Sequence, residues 1–385
     1  MTNSKAQRQE ACRQLTGLMK SVRPFSFLRL GDGELAFLLN VQEGLEISRR
    51  ELKASVNIAY DGPGIDQRHY QRVKVSYEEC TYLDLHDQIE YNAENIPRLR
   101  WQRREGLHQS ASPATSMLLY DWTNTEFRDY IRGRRCLFAG AEAALLRELH
   151  SDQAYRKLAE AFWPADAQPI FHQVRGNGEN LSDHLDAIKA DLAEIIREQK
   201  IDTLFLSLGG AAKPICHELS RELNICAIDF GSMMRGLAYC GSSGSGLWRS
   251  SHNPFFVRVP FSLHMPALQR SNPNLSPVSL LAKAHAQLCL DLQRREMGWS
   301  IAADVIDASS FEASAENLRV FHQAMRDYRR HYRPLASGNP EAEALVREFD
   351  HWCLKKGIGW RGRIFRSLLY LRNAVMRRGT NFRSS

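Results

Sequence analysis

The sequence predicts an α/β protein: a mostly parallel sheet flanked by helices, followed by a helical C-terminal accessory region. Three observations lead there. Between Arg135 and Gly231, short apolar runs of strand length alternate with helical patterns, and strand-helix-strand repeats give parallel strands joined by right-handed crossovers. Several of those runs stop at a glycine. The chain has 385 residues, more than one domain usually holds, and past Pro266 only helical spacing appears. The expected organisation is an N-terminal helix over 1–20, an α/β domain over 21–262 and a helical region over 263–385.

Taken in order, residues 5–20 read as a short polar-faced helix. Phe25 to Leu30 is a compact apolar run with strand propensity, and Leu35 to Leu39 has the propensity of a helix start. The stretch 41–110 is less regular. "AYDGPGIDQRHY" (59–70) is turn-rich, "RVKVSYEECTYLDL" (72–85) alternates in part like a strand, and "EYNAENIPRLRWQRRE" (90–105) is polar and basic. "CLFAG" (136–140) is a strand ending in glycine, and "AEAALLRELH" a helix with a Leu145, Leu146 and Leu149 face. "PIFHQV" (169–174) is the next strand. After the loop "RGNGEN", residues 181–200 form a long amphipathic helix through Leu181, Leu185, Ile188 and Leu192. "DTLFLSLGG" (202–210) runs as a strand into a glycine turn, Pro214 opens a helix, and "NICAIDFG" (224–231) is a further strand. "CGSSGSG" (240–246) reads as a loop or linker. Beyond it, Ser276 and Pro277 open one helix; Leu318, Phe321, Met325, Tyr328 and Tyr332 stripe a second; Asn339 and Pro340 cap a third that ends at Gly357; and a basic amphipathic helix starts near Arg361.

Two places carry chemistry. In "FLRLGDGEL", Asp32 and Glu34 stand one residue apart among glycines, directly after a strand. Gly31-Asp32-Gly33 suits a plain turn with Glu34 favouring a helix N-terminus. The same geometry also sets a loop at the carboxyl end of a strand, where open α/β sheets bind ligands. Two carboxylates there suit a hard cation, Mn²⁺ or Mg²⁺, whose remaining positions go to water and phosphate oxygens, so a diphosphate is the expected ligand. Gly31 and Gly33 permit close backbone approach, and Arg29 adds a permanent positive charge. The second place is "LSLGGAAKP" (206–214), where Gly209, Gly210 and Lys213 form a turn, a cation and a helix start. Unpaired N–H groups at such a start attract anions, although a plain tight turn uses the same residues. Asp229 ends the next strand.

Composition excludes several classes. Eight scattered cysteines with no Cys-x-x-Cys pair argue against structural zinc and a disulfide framework. His172, His184, His217 and His252 have no metal-type spacing. No run of about 18 apolar residues is present, and the N-terminus lacks a signal-type apolar core, so the expected location is the cytoplasm. The net charge is +7, yet residues 351–385 hold nine Lys or Arg and no acid, which leaves the preceding 350 residues at −2. Nucleic acid is therefore not an expected partner of the body. The tail has three readings: a solvated helix on the accessory region, an anchor over 358–385 on an anionic membrane surface, or a nucleic-acid contact.

"FLRLGDGEL" resembles the Arg-x-Gly-Asp-Gly-Glu signature of bacterial GT-D-fold glycosyltransferases. "TLFLSLGGAAKPICHELSRELNICAIDFG" (203–231) is similar to that family's closing strand-loop-helix-strand segment. Together the two motifs bracket residues 20–236. The resemblance implies a Rossmann-like sheet of GT-D type and a nucleotide-sugar-dependent transferase, with a UDP-sugar as donor and a glycan, glycoprotein or lipid-linked acceptor. It places Asp32 and Glu34 at the metal, Arg29, Gly31 and Gly33 in the same loop, and Gly209, Gly210, Lys213 and Asp229 in a second loop region. Asn180 matches a family asparagine near a helix start. Ser232, Met233, Met234 and Arg235 stand where the family commonly shows a histidine and acidic residues. For a catalytic base the order of candidates is Asp229, then Glu142 or Asp61. A metal-dependent phosphoesterase and a non-catalytic membrane scaffold are the rival classes.

Overall fold

A computed structural model describes residues 5–30, 67–85, 118–160, 162–174, 184–238, 259–297 and 315–355. It divides into two compact units. The first holds every described residue up to Ala238, and the second holds the helices from Phe261 on.

Among the described residues the first unit is built on six parallel strands: β1 (Phe25–Leu30), β2 (Tyr82–Leu85), β3 (Arg135–Gly140), β4 (Gln168–Gln173), β5 (Thr203–Ser207) and β6 (Cys226–Asp229). Their order is β2-β1-β6-β5-β3-β4, and every neighbouring pair is parallel. Helices α1 (Lys5–Ser21), α2 (Gln67–Glu79), α3 (Leu118–Thr125), α4 (Phe127–Ile131), α5 (Ala143–Ser151), α6 (Gln153–Leu158), α7 (Leu185–Glu198), α8 (Ala212–Leu223) and α9 (Ser232–Ala238) accompany them. Crossover connections of this kind cover both faces of a parallel sheet, which is why its strands read as apolar runs rather than alternating ones.

The two faces differ in chemistry. Leu28, Leu30, Leu83, Leu137, Leu204 and Leu206 point toward an aliphatic core shared with Tyr77 of α2, Leu192 of α7 and Ile215 and Leu219 of α8. The opposite face is aromatic. Phe138 and Phe205 stack at 4.7 Å, Phe127 and Phe230 pack edge-on around them, and Trp122 lies tilted against Phe205.

The segment "RVKVSYEECTYLDL" corrects its expectation: most of it is helix. Val73, Ser76 and Tyr77 are buried while Val75 is exposed, a spacing of three and four that fits a helix packed on the sheet. Only its last four residues form β2. Helix α8 also starts earlier than its proline suggested. A 3₁₀ turn over Gly209–Ala211 leads into Ala212, so Pro214 falls in the first helical turn, where its missing N–H leaves no carbonyl unpaired. The other expected strands stand within a few residues of their forecast limits.

The second unit comprises α10 (Phe261–Ser271), α11 (Pro277–Met297), α12 (Ala315–Asp327), a π turn at Tyr328–Tyr332, a 3₁₀ turn at Arg333–Ala336 and α13 (Pro340–Lys355). The expected caps are in place: the Ser279 N–H donates to Ser276 Oγ at 3.2 Å, and the Ala342 N–H to Asn339 Oδ1 at 3.1 Å. Phe321, Met325, Tyr328 and Tyr332 are buried as the stripe required. The His285 ring stacks on Phe349 at 4.2 Å and its Nε2 lies 2.7 Å from the Tyr328 hydroxyl. The helix end at Gly357, the serine-glycine run and the basic helix from Arg361 lie outside the described residues.

Candidate functional site

The carboxyl ends of β2, β1 and β6 lie side by side, and each delivers a charged residue at or next to its last position. Arg29 precedes the final residue of β1, Asp84 is aligned with it on β2, and Asp229 closes β6. Asp229 is fully buried. Its Oδ2 lies 2.9 Å from Nζ of Lys213 and accepts the Arg29 backbone N–H at 3.4 Å. The Arg29 Nε donates to the Asp229 carbonyl at 3.2 Å and stands 3.6 Å from Oδ2. One carboxylate thus ties together β1, which carries the arginine, and the helix α8 that carries the lysine.

The glycines of the second motif make this possible. Gly209 adopts φ +56°, a left-handed conformation that costs glycine little, and its carbonyl accepts from Lys213 Nζ at 3.1 Å. Lys213 is 3 % exposed, so its charge is spent inside the protein on Asp229 and Gly209. Gly231, just past β6, has φ +48°, and a Cβ there would sit 1.7 Å from an Arg29 guanidinium nitrogen. The guanidinium occupies the space a side chain would need. The Arg29 side chain remains 20 % exposed and is the more accessible of the two cationic side chains. Tyr77 of α2 donates its hydroxyl to the Arg29 carbonyl at 3.3 Å, and Ser207 donates to the Gly231 carbonyl at 2.8 Å, which fixes the backbone on either side.

Glu142, at the start of α5, accepts from Nε of Arg235 on α9 at 3.1 Å. Asp84 is buried, and desolvation pushes its carboxyl up to about 8, with Asp229 adding to the rise and Arg29 opposing it.

Of the residues expected from sequence, the fold brings together Arg29, Gly209, Lys213 and Asp229, with Gly210 buried in the same turn. Gly31, Asp32, Gly33, Glu34, Asp61 and Asn180 lie outside the described residues. Among the described residues no group of three or more His, Cys, Asp and Glu side chains is arranged to hold a metal. Sequence reasoning missed Asp84, Tyr77 and the close approach at Gly231. The available signal for Asp84 was a single acid inside the apolar run "TYLDL".

The family model for the GT-D fold-like domain matches residues 6–237. The chain belongs to the GT-D-like family. The matched span contains all six strands, the charged edge and the Asp-x-Glu pair, and it stops before α10. Two solved structures are similar to the chain at 15 % identity. One is a selenomethionine-substituted domain of unknown function 1792, with a TM-score of 0.38 over 60 % of this chain and 78 % of that one. The other, from Streptococcus sanguinis, is described as a new glycosyltransferase of the same DUF1792 class, with a TM-score of 0.37 over 67 % of this chain and 94 % of that one. No curated protein matches. In this GT-D-like domain the sheet is wholly parallel, and its charged side chains gather where parallel sheets receive ligands.

Proposed function

We propose that the chain is a metal-dependent glycosyltransferase that moves a sugar from a nucleotide-diphosphate donor, a UDP-sugar first among them, to a glycan, glycoprotein or lipid-linked acceptor. The observation that carries this reading is Arg29. A permanent cation is held at the carboxyl edge of a GT-D-like sheet by a buried carboxylate residue, with part of its side chain open to solvent. Such a group meets the negative charge that grows on a departing diphosphate, and because it is already fixed it needs no rearrangement during reaction.

The edge suits a divalent ion by its chemistry. Oδ1 of Asp229 is a buried hard oxygen with no hydrogen-bond donor among the described residues, and β1 ends at Leu30, two residues before Asp32 and four before Glu34. Asp32 and Glu34 would hold Mn²⁺ or Mg²⁺, and the ion supplies charge neutralisation to the diphosphate when bound. The remaining work falls to the chain's own groups. Arg29 binds and orients the donor. Asp229 and Lys213 hold the β5–α8 turn against β1 so that the arginine keeps its aim. With Asp229 sealed in that pair, Glu142 and Asp61 are the candidates to take a proton from an acceptor hydroxyl.

The test is UDP release from a panel of UDP-sugars by the purified full-length protein with Mn²⁺, repeated with Asp32→Asn and with p-nitrophenyl phosphate as substrate. The reading expects UDP release that depends on both Mn²⁺ and Asp32. Phosphate release from the simple ester without sugar transfer identifies a phosphoesterase instead, and inactivity of all samples favours the scaffold.

A further inference from the structure

Asp84 has no part in the reading above, yet its setting is unusual. It faces the same side of the sheet as Arg29, its register partner, and is 2 % exposed. Among the described residues its Oδ1 meets no hydrogen-bond donor. The Arg29 side chain turns the other way, onto the carbonyl of Asp229 and into the space over Gly231. Buried carboxyl oxygens are ordinarily satisfied, so an orphan at the ligand-receiving edge of a parallel sheet marks a place for a missing partner.

Chemistry narrows the partner. An organic cation would face the Arg29 guanidinium on the neighbouring strand, and an anionic group gains nothing from a carboxyl. A hydroxyl both donates and accepts, so it can satisfy Asp84 on one side and take a hydrogen bond from a guanidinium on the other.

We propose that Asp84 is a substrate-binding residue that hydrogen-bonds a hydroxyl of the bound sugar nucleotide, on the ribose or on the transferred sugar. The inference rests on the sugar-nucleotide reading of this same edge. Desolvation, which raises the Asp84 carboxyl to about 8, agrees with it: the group is kept as a neutral acid able to give or take a hydrogen bond rather than as half of an ion pair.

The experiment compares wild type, Asp84→Leu and Asp84→Asn as full-length proteins. Calorimetric titration uses UDP, UDP-glucose, UDP-galactose and UDP-N-acetylglucosamine with Mn²⁺, and thermal melts are taken on the free proteins. Leucine removes the hydrogen bond at similar volume, whereas asparagine keeps a donor and an acceptor in place. Asp84→Leu is expected to bind at least about 10-fold more weakly than wild type to any probe that wild type binds, since a lost hydrogen bond to a buried polar group costs that much. It should melt no lower than wild type, because an unsatisfied polar group is removed, and Asp84→Asn should recover most of the affinity. A loss already present with UDP assigns the ribose, and one seen only with the sugar nucleotides assigns the transferred sugar. Equal affinity for wild type and Asp84→Leu, or a lowered melt in both variants, overturns the proposal and leaves the transferase reading standing. A wild type that binds none of the probes overturns both.

Discussion

At the scale of single residues, the pairing of Asp229 with Lys213 dominates. Both groups are withdrawn from water, at 0 % and 3 % side-chain exposure, and each answers the other's charge. Removing one partner strands the other in a medium that cannot solvate it. Asp229→Asn and Lys213→Met are each expected to lower folding stability by about 3 kcal/mol, and the double variant Asp229→Leu/Lys213→Met by less than the sum. Urea unfolding measures this coupling, and strictly additive losses would show that the two groups do not depend on one another. Buried His285 and half-buried His150 set a pH dependence. Burial, helped by Arg156 near His150 and by Arg333 near His285, drops each ring from 6.5 to about 3. The folded protein keeps both rings neutral between those values while the unfolded chain takes up protons, so stability falls as pH drops through the window, by up to about 1.4 kcal/mol per pH unit for each ring. Urea midpoints at pH 7, 5 and 4 check this, and His285→Phe, which preserves the stack on Phe349, is expected to lessen the fall. Arg29, Lys213 and Asp229 are legible in the sequence because each lies within three residues of a glycine at the end of a strand or the start of a helix. Asp84 is not, because the valines of the helix before it carry strand propensity, which hides where the short strand "YLDL" begins and so which face its acid takes.

At the scale of elements, α2 shows what binds the layer over the aliphatic face. Arg72 donates to both carboxylate oxygens of Glu218 on α8 at 2.8 Å and to Asp186 on α7 at 2.9 Å, while Lys189 of α7 donates to the same Glu218 at 2.9 Å. A two-pronged guanidinium–carboxylate contact is geometrically specific and only partly exposed, so it holds three helices in register. Arg72→Ala is expected to cost about 2 kcal/mol, read as a shift in the urea midpoint, and Arg72→Lys to recover only part of it, because an ammonium cannot form the fork. An unchanged midpoint in Arg72→Ala would show that apolar packing alone fixes α2. The elements that were legible are those with one dominant signal: the apolar strands after Arg135, the long helix α7, and the helices opened by Ser276 and Asn339. The α2 segment carried two signals, valines of high strand propensity and a helical burial face, and packing on the sheet decided between them. Residues 209–214 likewise held a glycine turn and a helix start in so few positions that the exact junction was set by the φ of Gly209 and by the lysine it accepts.

At the scale of the whole molecule, charge is separated along the chain, with +9 in residues 351–385 against −2 in the rest. Among the described residues no helix is long and apolar enough to cross a membrane. We propose that the basic tail holds the enzyme on an anionic surface, where each Lys or Arg contributes about 1 kcal/mol. Deleting residues 358–385 is then expected to abolish sedimentation with phosphatidylserine vesicles while UDP release continues, and retained vesicle binding would place the contact elsewhere. On the proposed function, the sheet edge of this domain receives a sugar nucleotide. The most direct measurement is a calorimetric titration of UDP into the full-length protein, with Mn²⁺ and with chelator, for wild type and Asp32→Asn. The account predicts binding that requires the metal and disappears in the variant. Binding that is the same with chelator and in Asp32→Asn, or no binding of UDP by wild type, would contradict it.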